Sequence, residues 1–208
     1  MQAKSGSTIF ACILYYNRMG KKYEASDLKS AATTLKDGGK ILLPLDTGWC
    51  LAIAPQSEEA AKDLFFLNKK TAGSNIVLLT DNINRLIYYF EEIPDLAFDL
   101  MEMSEKPLTI ILNKARRIPD LLIEKKQLAI RYYQDPFFAA LCTRLRQPLL
   151  IVTAGSNGLM ANHPDEIDES IKASANYIAL YRQDETLNSR EPGVLQLGPN
   201  GEIKIIKE

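Results

Sequence analysis

Short apolar runs alternate along the chain with longer segments in which apolar residues recur at helical spacing. The runs predict strands at residues 40–44, 46–53 (beginning with a turn), 76–80, 108–112, 128–133, 149–153, 177–180, 193–197 and 202–206. The helical spacing predicts helices at residues 26–35, 57–67, 82–90, 95–103, 137–145 and 164–174, with a helical turn at 119–124. Because strands and helices alternate throughout, the pattern predicts an α/β fold with a mixed sheet.

Capping and turn-forming residues mark several of the predicted boundaries. Ser26 is a suitable N-cap for the first helix, which is expected to end at Gly38-Gly39. Pro44 is expected to stop the first strand, because proline lacks the N–H group that a strand ladder needs. The sequence Gly-Pro-Asn-Gly at residues 198–201 predicts a hairpin between the last two strands.

We expect one compact domain over residues 20–208, since the chain has no internal repeat and no Pro/Ser-rich linker. Residues 1–18 contain the apolar run Ile9–Tyr16, which is too short to span a bilayer. Two interpretations of residues 1–18 stay open: an extension that adds an edge strand, or a start assigned too early, with Met19 as the natural start. No other segment has transmembrane length, so we expect a cytoplasmic protein that does not enter the membrane.

The overall charge narrows the choice of partners. The 208 residues are 46% hydrophobic and 25% charged, which is typical of a globular protein, and the net charge of -1 argues against strong electrostatic binding of nucleic acid. One cluster of basic residues offers a local basic face that could contact RNA, although basic clusters of this kind are more often simply solvated. Its residues are Lys114, Arg116, Arg117, Lys125 and Lys126.

Cysteine and histidine are too sparse for several common kinds of site. Cys12, Cys50 and Cys142 are widely separated, and we expect them to be small buried hydrophobic residues in a reducing compartment. His163 is the one histidine and lies in a polar segment, so no metal centre is predicted and a Ser-His-Asp or Cys-His mechanism is improbable. Catalysis by positioning and electrostatics is the better expectation.

Four segments place polar or small residues at the ends of predicted strands, where α/β sheets bind ligands. They are residues 44–49, residues 68–75, Arg131 and residues 153–157. Each also has a structural interpretation: an Asx-type turn at Asp46, a solvated basic turn, an internal salt bridge of Arg131, or a plain loop. Taken singly, none of them decides the function.

Together, these segments resemble the YrdC-like domain family. PLDTGWCL resembles the PTDTxYGL segment of that family, and LFFLNKKTAGSNIVLL resembles its helix-KxRP-strand segment. EKPLTIIL is similar to PGPxTxIL, LAIRYYQDPFFAALC to (A/G)xRxPxHPxxxxLL, and PLLIVTAGSNG to PLxSTSANxSG. The order and spacing agree over residues 25–197. The resemblance implies a single domain with an open, twisted α/β sheet and a concave, often basic face.

The resemblance also implies an activity. The principal branch makes threonylcarbamoyl-AMP from L-threonine, bicarbonate and ATP, with ATP carried as its Mg²⁺ complex, for the t6A modification of tRNA. Members are also described as binding double-stranded RNA. Thr47, Thr109 and Arg131 match positions that bind the substrate, and no catalytic side chain is implied. For the nucleotide, Lys70 matches the arginine of KxR, and Thr153, Ser156 and Asn157 fall in the TSAN region. Lys69, next to Lys70, is also expected to bind the nucleotide, because its charge suits a polyphosphate.

Several positions depart from the family pattern, and the sequence as a whole, with the run from Pro94 to Arg131, resembles the YciO branch more closely. Asn68 and Lys70 stand where the family has the lysine and arginine of KxR, and Thr71 replaces the proline that follows. Trp49 replaces the tyrosine of PTDTxYGL, and residues 191–194 lack the family's Ser/Thr pair. The sequence therefore leaves two hypotheses: an adenylating enzyme, or a module that binds nucleotide or double-stranded RNA or tRNA without catalysis.

Overall fold

The fold is known from a computed structural model, which describes residues 23–70, 76–156, 159–199 and 201–207. Within them the helices are α1 (Ala25–Lys36), α2 (Glu58–Lys70), α3 (Asp95–Met103), α4 (Pro136–Leu145) and α5 (Glu169–Ser174). The strands are β1 (Lys40–Leu45), β2 (Gly48–Ile53), β3 (Val77–Thr80), β4 (Leu108–Leu112), β5 (Leu128–Tyr132), β6 (Leu149–Thr153), β7 (Tyr177–Ile178), β8 (Gly193–Leu197) and β9 (Ile203–Lys207). The predictions for residues 1–18, Met19 and Cys12 lie outside the described residues.

The nine described strands form one mixed sheet in the order β7-β1-β2-β6-β3-β5-β4-β8-β9. Parallel neighbours are β1 with β7, β3 with β5, and β4 with β8. The other neighbours are antiparallel. The predicted α/β class with a mixed sheet flanked by helices is confirmed.

Apolar side chains cover both faces of the sheet, so the molecule has three layers. On one face, the strands pack against α2, α3 and α5, with Leu64 and Met101 among the buried contacts. On the other face they pack against α1 and α4, where Phe137 and Phe138 are fully buried. Burial on both faces explains why the central strands read as continuous apolar runs rather than alternating ones. No helix among the described residues is long and apolar enough to cross a membrane.

Four details of the sequence predictions are wrong. The N-cap of α1 is Glu24, not Ser26. Pro44 does not end β1 but lies inside it, opposite Trp49 of β2. On the other side of β1, β7 pairs only with Ile41 and Leu42, so no strand there needs the N–H group that Pro44 lacks. The predicted helix at 82–90 is a 3₁₀ helix, Ile83–Tyr88, rich in β-branched and aromatic residues.

The fourth concerns the predicted helix at 164–174, which is interrupted. A 3₁₀ turn, Pro164–Glu166, precedes α5. Asp168 starts α5 as its N-cap by accepting a hydrogen bond from the Ser170 N–H, at 2.8 Å. Its own N–H donates to the Ala154 carbonyl, at 2.9 Å. The contact between these two segments therefore sets where the helix begins.

Residues 179–190, which we call the strap, connect β7 toward β8 and are tied down by two buried carboxylates. Asp27 accepts hydrogen bonds from the N–H groups of Leu180 and Tyr181, at 3.1 and 2.8 Å. Asp135 accepts one from the Tyr181 hydroxyl, at 2.9 Å. Asp135 also caps α4 by accepting from the N–H groups of Phe137 and Phe138. One carboxylate thus joins a helix end to the strap.

Asp135→Ala is expected to lower the free energy of unfolding by about 2 kcal/mol, because it removes a helix cap and leaves the Tyr181 hydroxyl unpaired. Asp135→Asn, the matched control, keeps the capping oxygen and should be nearly neutral. Urea unfolding of both variants measures the difference. Equal losses in the two would show that the cap is not what matters.

The pH dependence of the same variants has a definite sign. Burial raises the pKa of the Asp135 carboxyl, and hydrogen bonds from Phe138 and Tyr181 oppose this only in part. A carboxyl with a raised folded pKa favours folding below its ordinary pKa near 3.8, and this contribution is lost as the pH rises through the folded pKa. Relative to Asp135→Asn, the wild type should therefore lose stability as the pH rises from about 4 toward neutrality.

Candidate functional site

The β1–β2 turn presents two polar side chains, Asp46 and Thr47. Gly48, the first residue of β2, has a φ of +95°, and a Cβ there would lie 2.8 Å from the Ala161 carbonyl oxygen. The same carbonyl accepts a hydrogen bond from the Trp49 N–H, at 2.8 Å. The turn therefore needs glycine at this position, and its contact with Ala161 holds Asp46 and Thr47 in place.

Arg131 of β5 forms an ion pair with Asp46 across the face of the sheet. The Arg131 Nη2 and Asp46 Oδ1 atoms are 3.3 Å apart, and the Arg131 side chain is only 3% exposed. Three strands separate β1 from β5 in the sheet. In a flat sheet, four strand spacings would keep them about 19 Å apart. The ion pair therefore joins two parts of the sheet that three strands separate, with Asp46 in the turn after β1 and Arg131 within β5.

The atoms around this ion pair lack hydrogen bonds. Arg131 Nε and Nη2 and Asp46 Oδ1 are buried without a hydrogen-bond partner, so the ion pair has the distance but not the geometry of a hydrogen bond. Thr109, directly opposite Arg131 on β4, is 2% exposed, and its Oγ1 also has no partner. Because unpaired buried polar atoms are costly, this cluster is suited to receive polar atoms from a bound molecule.

Low solvent access governs the electrostatics of the site. Burial raises the pKa of the Asp46 carboxyl, although the Arg131 charge beside it acts in the opposite direction. Burial also raises the pKa of the Cys50 thiol to about 12, against the opposing effect of Arg131. Desolvation thus outweighs the nearby cation for both groups. Charges of a ligand in this region would interact more strongly than they do in water.

A cavity of about 540 Å³ opens beside the ion pair. Asp46 lines it directly, and so do Leu108 and Tyr132, the chain neighbours of Thr109 and Arg131. Equal numbers of acidic and basic side chains line the cavity. They are Asp46, Glu102 and Glu105, and Lys106, Arg182 and Arg190. The volume falls within the usual range for small-molecule sites.

The predicted nucleotide-binding residues are more dispersed. Thr153, the last residue of β6, pairs with Cys50, and the Ala154 N–H donates to the Trp49 carbonyl at 2.9 Å. Thr153 therefore lies next to the strand that follows the Asp46-Thr47 turn. The Ser156 hydroxyl has a local partner instead, since it donates to Asp168 Oδ2 at 3.4 Å.

Lys69 also has a local contact, because its Nζ lies 4.3 Å from the centroid of the Phe65 ring on the same helix. Lys70 ends α2, but its side chain lies outside the described part of the structure, as does Asn157. The structure thus links Arg131 both to Asp46, the chain neighbour of Thr47, and to Thr109 on the adjacent strand, whereas Thr153 pairs with Cys50 of β2. The binding roles of all these residues remain predictions.

Sequence reasoning missed three residues of this region, Tyr133, Arg182 and Arg190, all of which line the cavity. The Arg190 N–H donates to the Asp46 carbonyl oxygen, at 3.0 Å, and so ties the strap to the β1–β2 turn. Neither Tyr133, which follows Arg131 by two positions, nor the two arginines of the strap belong to a recognisable sequence motif. Their location depends on the path of the strap over the sheet.

Three other groups noted in the sequence have structural contacts. Lys114 pairs with Glu92 at 2.7 Å, Arg116 donates to the Ile87 carbonyl at 3.1 Å, and Arg117 lies 3.9 Å above the Tyr88 ring, so much of the basic face is engaged locally. Cys50 and Cys142 are free and buried, as expected. The His163 Nδ1 accepts a hydrogen bond from the Asp165 N–H, at 3.4 Å.

No group of three His, Cys, Asp or Glu side chains suited to a metal ion occurs among the described residues. Around Arg131, the buried guanidinium, the unpaired Thr109 hydroxyl and the Asp46 carboxyl can bind charged and polar groups of a ligand.

Comparison with known proteins identifies the family. The Sua5/YciO/YrdC family model, described as "Telomere recombination", matches residues 33–208. A threonylcarbamoyl-AMP synthase of Pseudoalteromonas translucida is 23% identical over 184 residues, covering 86% of this chain and 97% of that protein. A protein of the same name from Pseudomonas fluorescens is 26% identical over 133 residues, covering 63% of this chain and 71% of that protein.

Solved structures support the same conclusion about the fold. E. coli YciO matches with a TM-score of 0.77 and 21% identity, covering 90% of this chain and 91% of that protein. P. abyssi Sua5 in complex with L-threonine matches with a TM-score of 0.69 and 19% identity, covering 85% of this chain and 52% of that protein. The predicted YrdC-like fold is confirmed. The chain belongs to the Sua5/YciO/YrdC family.

Proposed function

We propose that this protein forms threonylcarbamoyl-AMP from L-threonine, bicarbonate and ATP. The amine of threonine adds to bicarbonate with loss of water, which gives a carbamate. A carbamate oxygen then attacks the α-phosphorus of ATP, and the bond to pyrophosphate breaks. The product would serve the t6A modification of tRNA, and we place the reaction in the cytoplasm.

The observation that carries this proposal is the buried Arg131 guanidinium, whose Nε and Nη2 have no hydrogen-bond partner. A buried arginine with free donors is suited to a carboxylate or a phosphate, because its planar fork can hold two oxygens at once. Thr109 offers a second unpaired group on the neighbouring strand. Arg131 and Thr109 would then bind an anionic part of the threonine carbamate or of ATP.

Asp46 is suited to interact with the positively charged ammonium group of L-threonine. It lines the cavity, and its pKa is raised by burial. A carboxylate with a raised pKa is a stronger base, so Asp46 would accept a proton from the threonine ammonium group as the amine becomes nucleophilic. Thr47 lies next to it in the same turn. In this scheme ATP enters as its Mg²⁺ complex, with Lys69, Lys70, Thr153, Ser156 and Asn157 as the predicted contacts of the nucleotide.

The direct test is incubation of the protein with Mg²⁺, ATP, L-threonine and bicarbonate, followed by detection of pyrophosphate and of the adenylate by mass spectrometry. We expect both products in equal amounts, and neither when threonine or bicarbonate is omitted. Pyrophosphate release that does not depend on threonine would contradict the proposed reaction.

A second candidate function rests on Asn68 and Lys70, which weaken the phosphate-binding pattern of the family. In that case the protein binds a nucleotide, double-stranded RNA or tRNA without adenylating it. Titration calorimetry with ATP and gel-shift assays with duplex RNA and tRNA separate the two candidates. ATP binding with turnover supports the enzyme, whereas RNA binding without turnover supports the binding module.

A further inference from the structure

The strap is held at several points, so the side chains that it carries have fixed positions. Asp27 and Asp135 bind its first residues, through Leu180 and Tyr181. Further along, the Leu187 N–H donates to the Asn162 carbonyl at 2.8 Å, and Leu187 itself is buried in the core. Near its end, the strap is hydrogen-bonded to the carbonyl of Asp46. A segment fixed in this way can form a rigid wall of a binding site.

Arg182 is held by this framework in an uncommon conformation. Its φ is 56°, in the left-handed region that residues other than glycine seldom adopt. Such a conformation persists only where the surrounding contacts determine it. The Arg182 side chain is 18% exposed and lines the cavity, and it contacts Glu185 through Nε at 3.0 Å. The pair with Glu185 orients the flat guanidinium group.

Tyr133 supplies an independent sign of a ligand. It lines the same cavity, its side chain is 95% buried, and its hydroxyl has no hydrogen-bond partner. Burial, with smaller contributions from Asp135 and Asp46, raises the pKa of this hydroxyl well above its ordinary value, and the Arg182 charge acts in the opposite direction. The Tyr133 hydroxyl is therefore an uncharged hydrogen-bond donor that interacts electrostatically with Arg182.

We propose that Arg182 and the Tyr133 hydroxyl, which line the same cavity, bind an oxyanion of the ligand, either a carboxylate or a phosphoryl group. The strap thereby brings a cation to the cavity from a part of the chain far from the KxR position, where this sequence has lost one basic residue. This inference deepens the proposed function by assigning two specificity residues. The binding event that it describes does not require the adenylating reaction.

Equilibrium binding of two probes tests the inference. Sodium pyrophosphate represents the phosphoryl source and L-threonine the carboxylate source, each titrated by calorimetry into the full-length protein. Arg182→Gln is expected to weaken binding of one probe by about tenfold to a hundredfold, and Tyr133→Phe by several-fold. The matched control is Arg144→Gln, which removes the same charge from the exposed surface of α4 and should bind as the wild type does.

Tyr133→Phe keeps the test valid if Arg182→Gln does not fold, since it removes only an unpaired hydroxyl. The inference is overturned if the wild type binds neither probe, if both variants bind both probes like the wild type, or if Arg144→Gln weakens binding equally. The probe that is affected identifies the source of the oxyanion. Weaker binding by the variants, together with a wild type that forms no adenylate, would leave this inference standing and refute the proposed reaction.

Discussion

Replacing Arg131 by alanine is expected to abolish threonine-dependent release of pyrophosphate and to weaken binding of the anionic substrate by about 3 kcal/mol, roughly two orders of magnitude. The guanidinium is almost fully buried beside Asp46, and its Nε and Nη2 atoms have no hydrogen-bond partner. Its removal also leaves that carboxyl without its cation, which should lower the free energy of unfolding by about 2 kcal/mol. Pyrophosphate assays and urea unfolding of the same samples measure the two effects.

Thr109→Val separates binding from stability at this site. Valine keeps the shape of threonine and removes a buried hydroxyl that has no partner, so the variant should unfold at the same urea concentration as the wild type or slightly higher. Its turnover should nevertheless fall by about tenfold if the hydroxyl binds the substrate. Full turnover in Arg131→Ala would show instead that Arg131 is an internal ion-pair partner, the alternative that the sequence left open.

The strands were the most predictable part of the fold. The bounds of β4 and β6 agree with the predicted ranges, 108–112 and 149–153, because each is an apolar run that follows a proline and is buried on both faces. The pattern failed where helical spacing could not separate an α-helix from a 3₁₀ helix, as at Ile83–Tyr88. In that short segment, poor helix formers and contacts with the rest of the fold decide the outcome.

The candidate site was only partly predictable, and for a different reason. Arg131 stands out in the sequence because a cation within an apolar strand needs a fixed acceptor. Its partner, Asp46, is separated from it by three strands of the sheet, so only the folded structure shows that the two side chains meet. The position of Arg182 depends on hydrogen bonds to carboxylates that are distant in the chain, such as the bond that the N–H of the neighbouring Tyr181 donates to Asp27. Local patterns carry no information about such contacts.

The second large effect is expected on ATP binding, from substitution of Lys70 at the KxR position. Lys70→Ala should weaken ATP binding by about 1–3 kcal/mol, the range for a hydrogen bond between charged groups. Lys36→Ala is a matched control, because it removes a lysine from the exposed last turn of α1 and should leave ATP binding unchanged. Titration calorimetry with Mg²⁺ and ATP measures both variants. An equal loss in the control would mean that ATP responds only to the overall charge of the protein.

The double variant Asn68→Lys with Lys70→Arg tests the same position by gain of function. Asn68 lines a second cavity, of about 280 Å³, and Lys70 ends the same helix, so the two substitutions restore a cation and a bidentate guanidinium where the family pattern has them. A polyphosphate carries several negative charges, and we therefore expect tighter binding of ATP, faster release of pyrophosphate, or both. Calorimetry and the pyrophosphate assay on the wild type and the double variant measure this gain. If neither protein binds ATP, the adenylating function is refuted, and a module that binds RNA or another ligand becomes the better account of this chain.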